Sequence, residues 1–148
     1  MTRHFIETLL FASVVFNAGL LLFFAGVFRQ ILNAVDAATF KNLNDLLVRY
    51  STKSAFMIIG LNLPFLVAIP YYYSYGFGNW WVTASLVIWL AAGSVSKILK
   101  LPVYKTIAAL KSDDTAQLIE ARRKVNRGNT FQAILYCIAV VVMAIGLW

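Results

Sequence analysis

Tyr71-Tyr72-Tyr73-Ser74-Tyr75-Gly76-Phe77-Gly78-Asn79-Trp80-Trp81 is an uncharged, aromatic stretch with a long apolar segment on each side. Tyr and Trp carry a flat apolar ring with one polar edge, which suits them to the headgroup depth of a bilayer. The chain is therefore expected to reverse direction here, just outside a membrane.

Composition agrees, with 61% hydrophobic and 13% charged residues, against roughly 45–50% and about 25% in soluble domains. Four stretches approach the ~20 apolar residues needed to cross ~30 Å of hydrocarbon. They cover residues 5–28, 54–72, 81–99 and 130–147. An all-α integral membrane protein is expected, an antiparallel four-helix bundle forming one domain over residues 1–148. Arg3 ahead of the first apolar run also fits a secretory signal. That run is longer than a usual signal core, however, and no A-x-A site comes after it.

Charge sets the expected orientation. Twelve of the 13 Lys and Arg residues, all but Arg3, fall in the segments around 29–53 and 97–129, the two loops with the span end that leads into the second, together with five of the six acidic residues. The positive-inside rule puts both charged loops in the cytoplasm and both termini outside. This bias, with no cleavable presequence read at the start, points to a bacterial inner membrane. Topology and attraction to anionic lipid headgroups account for the basic character, so nucleic-acid binding is not expected.

The charged loops carry helical patterns of their own. Phe40, Leu43, Leu47, Tyr50, Ser54 and Met57 recur at three- and four-residue steps, giving an amphipathic extension over about 36–53 that feeds the second span. In the other loop, Ser112 before Asp113 and Asp114 reads as a helix N-cap, and the extension over about 112–129 continues into the fourth span. Pro102 is expected to end the third helix, with a short connecting helix after it. Ala12, Gly19 and Gly26, seven apart, are expected to let a neighbouring backbone approach the first span.

Chemistry is sought in residues a span would not carry without reason. Asn17 lies in the first span, and Asn62 lies in the second, two residues before Pro64. Each amide needs a partner, either a neighbouring helix or carbonyl freed by proline, or a ligand in a cavity. Arg122, Asn126 and Asn129 share one helical face at the inner boundary, with Tyr50 expected at similar depth. Arg29, Lys97, Lys100 and Tyr104 should lie near the same level. Together these groups could surround a pocket for a flat, partly apolar, anionic molecule. The plainer alternative is that the basic residues anchor to phosphates and the Asn residues bridge helices.

Several classes are disfavoured. No acidic or basic residue lies inside a span away from its ends, so a proton-coupled transporter lacks a charged relay. His4 and Cys137 are the sole residues of their types, so no metal site and no Ser/His or Cys/His nucleophile is expected. No cofactor is expected.

The segment from Gly19 to Leu47, with Arg29, Leu32, Asp36, Phe40 and Asn44, resembles small four-span membrane proteins of the anthrone-oxygenase-like family, much of it a domain of unknown function. Leu101-Pro102 after the third span, and Arg123, Asn126 and Arg127 before the last, are similar too. The resemblance implies oxygen insertion into an electron-rich anthrone without metal or flavin. It also implies Arg122 or Arg127 stabilising the substrate anion and Asn126 or Asn129 orienting an oxygen, with no general base apparent. Arg123-Lys124-Val125-Asn126-Arg127 is also similar to the charged motif of four-span glutathione-transferase-like proteins, where it belongs at an earlier helix. The alternative to an enzyme is a non-catalytic subunit or lipid-binding bundle, with a protein partner or a second copy docking on its basic face.

Overall fold

The structure, a computed structural model, describes residues 2–51 and 53–147. Among these it forms five helices and no strand. They are α1 (Arg3–Ala34), α2 (Ala37–Ser51), α3 (Ala55–Tyr75), α4 (Trp80–Ala109) and α5 (Thr115–Leu147). All but α2 are long and apolar enough to cross a membrane. Large apolar side chains such as Phe56, Ile69 and Phe131 point outward, as a lipid solvent permits.

The aromatic stretch makes the expected reversal. α3 ends at Gly76, whose φ of 65° suits a residue without Cβ. Tyr72 stacks on Phe77 at 4.3 Å between ring centroids and shares a 2.9 Å hydrogen bond with the Thr83 hydroxyl across the turn. Asn79 then caps α4, its Oδ1 accepting the Val82 N–H, while its Nδ2 donates to the Gly146 carbonyl at 2.8 Å. One side chain thus starts α4 and holds the far end of α5 beside it.

α5 is the central helix. α4 and α1 pack along it, α2 crosses its charged half, and α3 rests mainly against α1. Two cores result. The larger, with Leu10, Val14, Val67, Trp89 and Tyr136, fills the apolar part of the bundle. The smaller, with Leu32, Phe40, Ile107, Leu118 and Val125, joins the helical extensions at the charged end.

Several local expectations are corrected. α2 does not run on into the second span; it ends at Ser51, and Ser54 begins α3 by accepting the Met57 N–H at 3.3 Å. Pro102 does not end the third helix. A π-turn at Ser96–Lys100 resets the hydrogen-bond ladder, so the proline falls in the first turn of a new α segment, where its missing N–H costs little. α5 starts at Thr115 rather than after Ser112, and the Asp114 carboxylate turns back to the Lys111 N–H at 2.7 Å. From there α5 continues unbroken through Gly128 for 33 residues, about 50 Å at 1.5 Å per residue.

The small-residue stripe is also placed differently. Ala12, Gly19 and Gly26 are exposed, and a Cβ added at either glycine would meet nothing. Close approach occurs instead at Gly60, against the Phe16 ring, at Gly128, against the Lys100 stem, and at Gly146, against Trp81.

Candidate functional site

Two π-turns bring the site together. Phe24–Phe28 interrupts α1 and Ser96–Lys100 interrupts α4, each fitting one extra residue into a turn and so re-aiming the side chains beyond it. Between them, where the two cores meet, lies a cavity of about 350 Å³. That is at the small end of the ~300–1,000 Å³ typical of small-molecule sites. Its walls are mostly apolar, with Leu20, Leu21, Phe24 and Phe28 from α1 and Met57, Ile58 and Leu61 from α3. The Phe24 and Phe28 rings meet edge to face at 5.3 Å.

Polar groups gather on one wall. Lys100 is only 7% exposed, although lysine is seldom buried without a partner. Its Nζ donates to Gln132 Oε1 at 2.6 Å and to Asn129 Oδ1 at 3.0 Å. The Ser96 hydroxyl also donates to Gln132 Oε1, at 3.2 Å. Both acceptors of the amine are neutral amides, and Lys100 takes part in no ion pair among the described residues. The lysine stem lies flat over Gly128, where any side chain would collide with it.

Asn44 of α2 and Tyr104 of α4 line the same space. Asn44 is 5% exposed, and its Nδ2 has no hydrogen-bond partner among the described residues. An amide donor buried without a partner costs roughly 1–3 kcal/mol, which a bound acceptor would recover. The amide oxygens of Asn129 and Gln132 are already engaged by the amine. What the wall can still offer a guest is therefore chiefly donors.

Of the residues singled out in the sequence, Asn62 and Asn129 line this cavity. Asn62 stands at its exposed edge, with Nδ2 bonded to the Ile58 carbonyl of its own helix at 2.7 Å. Asn17 is fully buried elsewhere, donating to Ser13 and Gly60 carbonyls. Tyr50 is 63% exposed and does not line the cavity. Arg122 sits behind the smaller core, 4.8 Å over the Phe40 ring and donating to the Asp36 carbonyl at 3.1 Å. Asn126 and Arg127 face a separate cleft between α1 and α5, where Asn126 Nδ2 donates to Asn33 Oδ1. Lys100 and Tyr104 fall at the level expected of them. Gln132 and Asn44 were missed as site residues, although Asn44 shares the helical register of Phe40 and Leu47.

Fold and cavity together define an all-α bundle with four membrane-length helices and, near its charged end, a mostly apolar cavity with polar groups on one wall. Among known proteins, no family model, no curated protein and no solved structure matches the chain.

Proposed function

We propose that the protein draws a small, flat, largely apolar acid from the bilayer into the cavity and holds its anionic oxygen against Lys100. The observation that carries this reading is a buried amine solvated by neutral amides alone. A charge in such a place is costly without an opposite one. A ligand carboxylate or phenolate supplies it, and the spare N–H groups of Asn44 donate to the same oxygen. The Phe24 and Phe28 rings suit a planar body. Under the positive-inside rule the cavity opens at cytoplasmic depth, with the aromatic turn and both termini outside, as in a bacterial inner membrane.

The resemblance to anthrone-oxygenase-like proteins suggests a reaction for the bound molecule. An anthrone methylene gives up a proton, the anion is oxidised by O₂ with formation of a C–O bond, and loss of water leaves the quinone carbonyl. Per substrate, one O₂ is consumed and one water released. Lys100, when deprotonated, is the cavity-lining group suited to accept the first proton, and the ammonium so formed pairs with the anion. Arg122 and Arg127, outside the cavity, have no direct part in this scheme.

Purified protein in lipid nanodiscs, supplied with anthrone and monitored for O₂ uptake and quinone formation, tests the chemistry. Turnover that falls at least tenfold in Lys100→Met and less in Tyr104→Phe is expected. Saturable binding with no O₂ uptake would remove the oxygenase step and leave a carrier.

A further inference from the structure

On the face of the bundle where α1 meets α5, Arg29, Arg123 and Arg127 converge on a cleft of about 430 Å³. None of the three forms an ion pair among the described residues. The Asn33–Asn126 amide bond bridges the two helices here at 3.1 Å. Asn126 is 6% exposed, and its Oδ1, the atom left over from that bond, is buried without a partner. The cleft thus combines three cations in no ion pair with an asparagine whose oxygen, buried at its wall, has no partner.

Thr130 belongs both to this cleft and to a second groove that continues along the same helix pair into the apolar zone. That groove, about 420 Å³, is walled by Leu22 and Ala25 of α1 and Ile134, Ile138 and Val141 of α5. A basic pocket joined end to end with an apolar channel matches a molecule with an anionic head and a hydrocarbon tail.

We infer that this face is a specific site for one anionic phospholipid whose headgroup bears a hydroxyl. The arginines hold the phosphate, the headgroup hydroxyl donates to Asn126 Oδ1, and an acyl chain lies along the groove. A soluble phosphate lacks the chain. A zwitterionic choline headgroup brings its own cation against the arginines and has no donor for Asn126. The site is separate from the Lys100 cavity and stands whether or not that cavity binds an acid.

Native mass spectrometry of the full chain, released from nanodiscs of mixed lipids, tests the inference. Retention of one phosphatidylglycerol at least fivefold over phosphatidylcholine, and severalfold over phosphatidylmethanol, is expected. The last lipid has the same charge and no headgroup hydroxyl. Arg123→Gln with Arg127→Gln should abolish the preference for charge, Asn126→Ala the preference for the hydroxyl, and Ile138→Trp the retention itself. Circular dichroism checks that each variant remains folded. Equal retention of phosphatidylcholine, unchanged selectivity in the double arginine variant, or displacement of the lipid by glycerol phosphate would overturn the proposal. Equal retention of phosphatidylmethanol would overturn the contact to Asn126.

Discussion

Asn17 on α1 donates its side-chain N–H to the Gly60 carbonyl of α3 at 3.1 Å, and Gly60 stands four residues before Pro64. In a regular helix the N–H of residue 64 would bond that carbonyl. Proline has no N–H. The amide of α1 thus supplies from across the interface the donor that α3 lacks, in a medium where water cannot. α3 rests mainly against α1, so this bond lies in the chief interface of the helix.

Removing the amide with Asn17→Ala should cost about 1–2 kcal/mol in unfolding from detergent micelles. In a Pro64→Ala background, where the backbone N–H returns, the same change should cost less by about 1 kcal/mol. Simple additivity in this double-mutant cycle would show that the two residues do not share the carbonyl.

Gly128 holds the space for the Lys100 stem, since an added Cβ would lie 2.9 Å from Lys100 Cγ and 3.3 Å from Cδ. Gly128→Ala gains up to about 1 kcal/mol of helix propensity while pushing the amine away from Asn129 and Gln132. Stability close to wild type with ligand affinity reduced roughly fivefold, about 1 kcal/mol, is the predicted outcome. Thermal unfolding and binding measured on the same preparation separate the two effects, and unchanged affinity would count against the assigned position of the amine.

Asp36 caps α2, its Oδ1 accepting the Thr39 N–H at 2.8 Å and its Oδ2 the Thr39 hydroxyl at 2.9 Å. The Thr39 backbone donor first, and its hydroxyl second, hold the carboxyl below the usual carboxylate value of 3.8. A carboxyl depressed in the folded state stabilises the fold fully above its unfolded value, and that contribution fades as pH falls through the folded one. Lowering the pH from 6 to 3 should therefore loosen the start of α2, and Asp36→Ala should remove this part of the acid sensitivity. Amide hydrogen exchange over residues 37–40 at the two pH values reads the change.

Much of the fold was legible because it rests on composition. Apolar length gave four spans, and the aromatic run with Gly76 and Asn79 gave the reversal between α3 and α4. The π-turns left no comparable mark, since residues 96–100 read as ordinary helix and only the geometry shows why Pro102 does not stop α4. That same turn buries Lys100, whose position at the end of a span reads as interfacial in the sequence. The buried face of α5 was legible through Asn126 and Asn129, whereas Gln132 gives no signal of its own and Asn44 gives only the helical register it shares with Phe40 and Leu47. Their role depends on which helices meet around them, and a helical periodicity of three- and four-residue steps does not carry that information.

The central claim is tested most directly by equilibrium binding of 1-hydroxy-2-naphthoate and its methyl ester to the protein in nanodiscs, wild type against Lys100→Met. The account predicts saturable binding of the acid that weakens at least tenfold, about 1.4 kcal/mol, in the variant. The ester should bind both forms alike, and circular dichroism checks that the variant, in which the buried Asn129 oxygen loses its amine partner, remains folded. Equal affinity of the acid for wild type and Lys100→Met would contradict it.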